Sequence, residues 1–160
     1  MDCNRRINLK EVSNIKLDLG CGSKPREGFV GLDYGDFGQD ISWDANQGIP
    51  LPDNSVKHLY SHHALEHFDD ILFIMNEIWR IVKPGGVAEI IVPWREHPNA
   101  WRHPGHIHNN CFDGSYWQWF SKNNKSPDVK AYGAKLWDIK RNEIIDECHS
   151  LFQGEPYGKA

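Results

Sequence analysis

Residues 15–33, IKLDLGCGSKPREGFVGLD, decide the fold of this 160-residue chain. The stretch opens with Ile15–Leu19, which reads as a buried strand, and its second apolar run ends in an acid, Asp33. Gly20 and Gly22 follow the first run, and without a Cβ they let another group lie flat against the main chain. The nine residues 20–28 are fewer than a parallel crossover usually needs, so we expect little more than one helical turn there.

The spacing of apolar residues predicts one clear helix further along the chain. It runs from about Asp70 to Val82, with Asp69 or Asp70 as its N-cap, and Pro-Gly-Gly at 84–86 ends it. The apolar run 87–92 then predicts a strand of the kind that is buried in a parallel sheet. Strands that alternate with turns and a helix predict an α/β fold, a Rossmann-like open twisted sheet that is mostly parallel.

The residues after position 93 differ in composition from the first part of the chain. Five of the seven Trp and five of the nine His follow residue 93, and a segment this long in a compact domain is usually a lid or a binding segment. We predict a single domain over residues 1–160, with a polar lead-in at 1–14 and a long aromatic and histidine-rich lid at 94–127. We expect abbreviated C-terminal strands, with 128–141 as a late strand or hairpin and 142–160 unassigned.

Composition and charge exclude several classes of protein. The net charge of −4 argues against a general nucleic-acid binder, and no apolar stretch approaches the roughly 20 residues of a membrane span. The scattered cysteines favour free thiols and a cytoplasmic location. Residues 1–93 carry 14 Asp and Glu against 9 Lys and Arg, whereas residues 94–141 carry 4 against 8. The first part therefore suits a cationic ligand and the second an anionic one, unless both are solvated faces.

The glycines and the acid are expected to share one crevice, because ligands of open α/β sheets bind at the carboxyl ends of the strands. The pattern is not a dinucleotide fingerprint, since Pro25 stands at the third glycine position and Asp33 follows Gly20 by only 13 residues. A nucleoside fits better. Bare main chain can lie against it, and a carboxylate can accept hydrogen bonds from two ribose hydroxyls.

Five blocks of sequence in this order resemble the class I S-adenosylmethionine-dependent methyltransferases, in particular the branch with the methyltransferase type 11 pattern. The blocks are LDLGCG (17–22), GLD (31–33), WDANQGIPLPDNSV (43–56), HHALEHF (62–68) and IWRIVKPGGVAEIIVP (78–93). The resemblance covers about residues 15–93, a little under half of the chain. It implies S-adenosylmethionine as the cofactor and methyl transfer as the activity.

The resemblance also implies cofactor-binding roles for Asp18, Gly20, Cys21, Gly22, Asp33, Asp44, Ala45 and His62. The first four would shape the methionine and ribose pocket, and Asp33 would hold the ribose hydroxyls. Asp44 and Ala45 would lie by the adenine, and His62 would line the cofactor near the sulfonium. Structural roles stay open beside these: Asp18 as a brace for the glycine turn, Asp33 and Asp44 as turn acids, and Cys21 as a packing residue.

The first histidine cluster lies at residues 62–67. Some related quinone-pathway methyltransferases bind a divalent metal through an acid and an E-x-x-E-H segment. This chain matches that segment only at Glu66 and His67, with His63 in place of the first acid. We therefore assign no metal ligands, and we expect Glu66 and His67 to position the loop through hydrogen bonds.

The second histidine cluster supplies the catalytic candidates, His103, His106 and His108. Methyl transfer needs a base only when the acceptor must lose a proton, and histidine suits that task at neutral pH. The three candidates are not ranked. The same three imidazoles could ligate zinc or iron, which gives a metal-dependent enzyme as the alternative function. A non-catalytic S-adenosylmethionine-binding module is another alternative.

The lid is also expected to form the acceptor pocket. Its walls could come from aromatic residues that could equally be core: Trp94, Trp101, Tyr116, Trp117 and Trp119. Arg95 and Arg102 are candidates to pair with a carboxylate or phosphate, which would make the acceptor anionic. The sequence thus predicts methyl transfer to a small-molecule or glycan acceptor, with neither nucleic acid nor membrane as a partner.

Overall fold

A computed structural model describes residues 12–98, 100, 112–146 and 148–159 of the chain. Its strands are β1 (Ile15–Leu19), β2 (Val30–Asp33), β3 (Ile41–Ser42), β4 (Val56–His62), β5 (Val82–Pro93), β6 (Trp137–Ile144) and β7 (His149–Pro156). Its helices are α1 (Ile71–Ile81), α2 (Gly114–Gln118) and α3 (Pro127–Ala131), with short 3₁₀ turns at Ala45–Gln47 and Leu65–His67. Within these ranges, no helix has the length and apolar character needed to span a membrane.

The strands form one sheet in the order β3-β2-β1-β4-β5-β7-β6. Strands β1 to β5 pair in parallel, and β7 lies antiparallel between β5 and β6. The chain leaves β1 on one side to form β2 and β3, and it returns to the other side as β4. This confirms the predicted Rossmann-like, mostly parallel α/β fold. It also places the switch point, where open α/β sheets bind ligands, between β1 and β4.

The prediction of abbreviated C-terminal strands is wrong. Strands β6 and β7 have eight residues each, against five in β1. In the segment 128–141, the first residues belong to α3, which ends at Ala131, and the chain enters the sheet only at Trp137, where β6 begins. The segment 142–160, which was left unassigned, contains the end of β6 and all of β7. The sequence of β7, HSLFQGEP, includes glycine and proline and does not alternate cleanly. It forms a strand because β5 and β6 pair with its main chain from both sides, which outweighs a weak local preference.

Helix α1 lies within one residue of its predicted bounds. The Asp70 carboxylate accepts a hydrogen bond from the main-chain N–H of Phe73 at 2.9 Å, so Asp70 is the N-cap. The apolar stripe that predicted the helix faces the core, through Ile71, Ile74, Met75, Ile78 and Ile81. The helix therefore packs on the sheet as its spacing requires.

The connection from β1 to β2 consists of turns, with no helix between Gly20 and Gly28. It lies flat on β2. A Cβ added to Gly31 would be 2.7 Å from Cγ of Pro25 and 2.8 Å from Sγ of Cys21. This packing explains how so short a connection can join two parallel strands.

A half-buried ion pair fastens the loop before β4 to α1. Arg80 donates hydrogen bonds to the carbonyls of Ile49 and Leu51 and to Oδ1 of Asp53, each at 2.8 Å. Glu77 accepts from the main-chain N–H of Ile49 at 2.8 Å, and hydrogen bonds from Arg80 hold the pKa of Glu77 below its usual range. The pair therefore fixes the path of a loop whose Ile49 and Leu51 side chains are buried in the core.

We expect Arg80→Met to lower the free energy of unfolding by about 1–3 kcal/mol, because the Glu77 carboxylate and two carbonyls lose their donor. Arg141→Met is the matched control, since Arg141 pairs with Glu143 on the exposed face and its loss should cost less than about 0.5 kcal/mol. Denaturant unfolding at neutral pH measures both variants. Equal losses would show that the Arg80 pair is no stronger than a surface pair.

Candidate functional site

A cavity of about 410 Å³ opens where β1, β2 and β4 end. Four of the residues predicted to bind the cofactor line it together: Gly20, Asp33, Asp44 and Ala45. Its volume lies within the roughly 300–1,000 Å³ that is typical of small-molecule sites. The sheet therefore brings the glycine turn and two of the predicted acids to one space.

Gly20 stands where the end of β1 meets the loop after β4. Its φ is +75°, and a Cβ built on it would lie 2.2 Å from the Cβ of Ala64, far inside any real contact. Its main-chain N–H donates to the carbonyl of Leu32 at 2.8 Å, which ties the turn to β2. Both the backbone conformation and the close approach require glycine at this position.

Asp33 is held by the turns on either side of it. Its Oδ2 accepts from the main-chain N–H of Gly22 at 2.8 Å, and its Oδ1 accepts from that of Gly35 at 3.2 Å. Gly22 thus holds the Asp33 carboxylate through its main-chain N–H and does not itself line the cavity. A carboxylate has about four lone-pair sites, so the two hydrogen bonds orient Asp33 and leave it able to accept from a ligand.

Asp44 and Ala45 begin the 3₁₀ turn Ala45–Gln47. Oδ1 of Asp44 accepts from the main-chain N–H of Asn46 at 3.0 Å, and Ala45 is buried. Asp44 is therefore a turn acid, as one of our interpretations had it, and it also lines the cavity. The two roles are compatible, because a cap uses only part of the carboxylate.

Three more predicted cofactor residues, Asp18, Cys21 and His62, line a neighbouring hollow of about 300 Å³. Gly20 lines both spaces, so they adjoin at that residue. Asp18 accepts a hydrogen bond from the main-chain N–H of Arg26 at 2.8 Å, so it braces the connection that follows the glycine turn. Burial raises the pKa of Asp18. Burial and the Asp18 carboxylate raise the pKa of the Cys21 thiol to about 12, so the thiol stays protonated and serves packing.

The rest of the cavity lining was not predicted to bind the cofactor: Leu19, Leu32, Tyr34, Trp43, Asn46, His63, Ala64, His67 and Phe68. Tyr34 is 81% exposed and Trp43 is 41% exposed, so both rings are open to a planar ligand. The sequence held a signal for them, because each ring adjoins a predicted acid. His63 enters the cavity because its φ of +56° turns the chain directly after His62.

The loop after β4 is positioned by Glu66, as expected. This buried carboxylate lies 3.1 Å from Nδ1 of His63. The main-chain N–H of His67 donates to the carbonyl of Ala64 at 3.0 Å. Partial burial of the ring, followed by the neighbouring His63, lowers the pKa of His62.

The described part of the lid forms most of the wall of a second cavity, of about 470 Å³. It is lined by Leu72, Arg95, Asp113, Ser115, Tyr116, Trp119, Phe120 and Tyr132. Trp117 is fully buried and belongs to the core, whereas Tyr116 and Trp119 form part of the cavity wall. The short helix α2 lies in this part of the lid. Trp101, Arg102, His103, His106 and His108 lie outside the described residues.

Comparison with known proteins gives one family and a set of similar folds. Residues 36–90, about a third of the chain, match the methyltransferase domain family model. No curated protein matches. Among solved structures, the YcgJ protein from Bacillus subtilis has 14% identity and a TM-score of 0.60, over 91% of this chain and 93% of that one. The [4+2]-cyclase SpnF has 14% identity and a TM-score of 0.64, over 91% and 76%.

An S-adenosylmethionine-dependent methyltransferase from Aquifex aeolicus is also similar, with 17% identity and a TM-score of 0.57, over 91% of this chain and 83% of that one. At such identities the structural likeness shows the fold alone, and the activity rests on the family match. The family match therefore supports a methyltransferase domain over residues 36–90, and the structural likeness extends only the fold to the rest of the chain. This match agrees with S-adenosylmethionine as the cofactor that the sequence resemblance implies. The residues present fit this cofactor, because Asp33 lines the cavity as an oriented hydrogen-bond acceptor. Gly20 keeps its close contact with Ala64, another residue of the cavity wall, because it has no Cβ.

We expect Gly20→Ala and Gly22→Ala to differ sharply, although the chemical change is the same. Both glycines have positive φ, which costs a side chain about 1–2 kcal/mol, but only the Gly20 substitution collides with Ala64. Gly20→Ala should therefore lose clearly more stability and most of its affinity for S-adenosylhomocysteine. Thermal unfolding and calorimetric titration measure the two effects. Equal behaviour of the variants would mean that the chain relaxes around position 20.

Proposed function

We propose that this protein transfers the methyl group of S-adenosylmethionine to a small-molecule or glycan acceptor. The observation that carries the proposal is the cavity at the switch point of the sheet, where the Asp33 carboxylate and the bare main chain of Gly20 line one space. Because SpnF, a cyclase, has a similar fold, the fold alone does not select the reaction. The family match over 36–90 supports methyl transfer.

In this proposal the nucleoside lies in the larger cavity. Its ribose hydroxyls donate to Asp33, which Gly22 and Gly35 already hold in place. The adenine lies by Asp44 and Ala45, with the Asp44 carboxylate accepting from the exocyclic amine. The hydrogen bonds that fix Asp33 before binding reduce the ordering cost of binding, which supports this assignment.

The methionine end lies, in the same proposal, in the smaller hollow that adjoins the cavity at Gly20. Asp18, Cys21 and His62 would shape this end of the site, with His62 near the sulfonium. Lys24 and Arg26 also line the hollow, and cationic side chains suit the carboxylate of the methionine group.

The acceptor is proposed to bind in the second cavity, whose wall is formed mostly by the lid at 94–127. The lid is proposed to be part of a single domain that comprises residues 1–160. Tyr116, Trp119 and Tyr132 give it aromatic walls, which suit a ring or a sugar. Leu72 also lines it and stands four residues after Phe68, which lines the cofactor cavity. We also propose a cytoplasmic location, which the free thiols of Cys21 and Cys148 support.

Methyl transfer is an in-line displacement in which the bound cofactor supplies a carbon already activated by the sulfonium. The protein must align the acceptor atom with that carbon and exclude water. For an acceptor that must lose a proton, the proposed bases remain His103, His106 and His108. Since these three lie outside the described residues, the proposal for them rests on the sequence.

We expect Asp33→Asn to weaken the binding of S-adenosylhomocysteine about 10–100-fold, because the ribose hydroxyls lose a charged acceptor. Asp36→Asn is the matched control, since Asp36 is exposed and lies outside the cavity lining, and it should bind as the wild type does. Isothermal titration gives the affinities, and a thermal melt of each variant confirms folding. A wild-type protein that does not bind S-adenosylhomocysteine at millimolar concentration would contradict the whole proposal.

We expect Tyr132→Ala to raise the KM for the acceptor about tenfold while leaving the affinity for S-adenosylhomocysteine unchanged. The ring is 68% exposed and lines only the second cavity, so its loss removes acceptor contacts and little stability. The assay follows labelled methyl from S-adenosylmethionine into a panel of phenols, amines and sugars. Tyr157→Ala, another half-exposed tyrosine, is the control. An unchanged acceptor KM would place the acceptor elsewhere.

A further inference from the structure

Three histidines from two distant parts of the chain meet at the carboxyl edge of the sheet. His62 ends β4, His63 follows it, and His149 begins β7 opposite Pro93, the last residue of β5. One ring nitrogen of each histidine lies within 4.8 Å of those of the other two. The Nε2 atoms of His63 and His149 are only 2.9 Å apart.

Carboxylates hold the two facing rings at their other nitrogens. Nδ1 of His63 is 3.1 Å from Oε1 of Glu66, and Nδ1 of His149 is 2.8 Å from both carboxylate oxygens of Asp146. A carboxylate only accepts hydrogen bonds, so Nδ1–H is the donor in each of these contacts and the Nε2 atoms are left to face each other. At 2.9 Å their lone pairs repel unless a cation offsets the contact. That cation is either a proton shared by the two rings or a metal ion that both rings bind.

We propose that His62, His63 and His149 form a binding site for Zn²⁺. Three imidazoles that leave a fourth position open are a ligand set of catalytic zinc sites, and imidazole favours zinc over magnesium or calcium. Carboxylates at the Nδ1 atoms are the usual support of metal-binding histidines, because they fix the ring and its tautomer. Tetrahedral zinc with Zn–N bonds of about 2.0–2.1 Å needs ligand nitrogens about 3.3 Å apart, so a small outward rotation of His63 and His149 admits the ion.

The metal can reach this cluster from solvent. The side chain of His63 is 41% exposed and that of His149 is 24% exposed. The cluster is also separate in sequence from the three histidines of the lid. Sequence spacing did not reveal it, because His149 is 86 residues from His63 and joins it only through the pairing of β7 with β5.

The position of the cluster gives the ion a place in methyl transfer. His63 lines the cofactor cavity and His62 lines the hollow beside it, so the fourth zinc position would take an oxygen or sulfur atom of the acceptor next to the cofactor. This consequence rests on the proposed function, whereas the binding of Zn²⁺ does not. Direct measurement of metal binding therefore separates the two.

The test is a titration of the full chain, stripped of metal by a chelator, with Zn²⁺ and then with Co²⁺. We expect one calorimetric Zn²⁺ site per chain and a Co²⁺ absorption spectrum of tetrahedral intensity. His149→Ala should weaken Zn²⁺ binding at least 100-fold, and Asp146→Asn should weaken it about 10–100-fold, because Asp146 orients His149. The triple variant H103A/H106A/H108A is the matched control and should keep the site.

Three outcomes would overturn the proposal. The wild type could bind no stoichiometric Zn²⁺, the triple variant could lose the metal while His149→Ala keeps it, or Asp146→Asn and His149→Ala could both bind as tightly as the wild type. Circular dichroism confirms folding of each variant. If His149→Ala does not fold, His62→Ala replaces it, because His62 is exposed and its loss removes one ligand from the same set. Unchanged Zn²⁺ affinity in that variant also counts against the site.

Discussion

The close approach of Gly20 to Ala64 is the constraint on which the rest of the site depends. It joins the end of β1 to the loop after β4, the two sides of the switch point. Because Gly20 lines both the cofactor cavity and the smaller hollow, any side chain there would push the loop outward and change both spaces together. The position of His62 and His63 follows from the same contact, since they precede Ala64 directly.

Asp33 shows how one carboxylate can serve folding and binding. Its hydrogen bonds to Gly22 and Gly35 close the turns on both sides of β2 and fix its orientation. A carboxylate oriented in this way accepts from a diol without further loss of side-chain freedom. The interpretations of Asp33 and Asp44 as turn acids and as ligand-binding acids are therefore not exclusive. In this fold, the turn that an acid closes is also the wall of the cavity.

Local sequence patterns predicted what local interactions determine. The stripe of α1 and its Asp70 cap each rest on neighbours within a few residues. The glycine turn after β1 was predicted from residue type alone, whereas its packing partner Ala64 is distant in sequence. Strand β7 was missed because its structure comes from pairing with β5 and β6, not from its own composition. The contact of His63 with His149 depends on that pairing and was missed with it. The side chain of His63 lines the cavity because the backbone of His63 has a positive φ, and no pattern of residue types predicts that conformation.

The excess of cations in residues 94–141 does not in itself favour an anionic acceptor. Arg95 lines the second cavity, but its guanidinium is 2.8 Å from Oδ2 of Asp113. Hydrogen bonds from Ser115 and from the main-chain N–H of Tyr116 help to hold the pKa of Asp113 below its usual range, so this carboxylate stays charged. An anion in this cavity would compete with Asp113 for the Arg95 guanidinium. A neutral ring or sugar against the aromatic walls meets no such competition, which supports a neutral acceptor if the acceptor binds in this cavity as we propose.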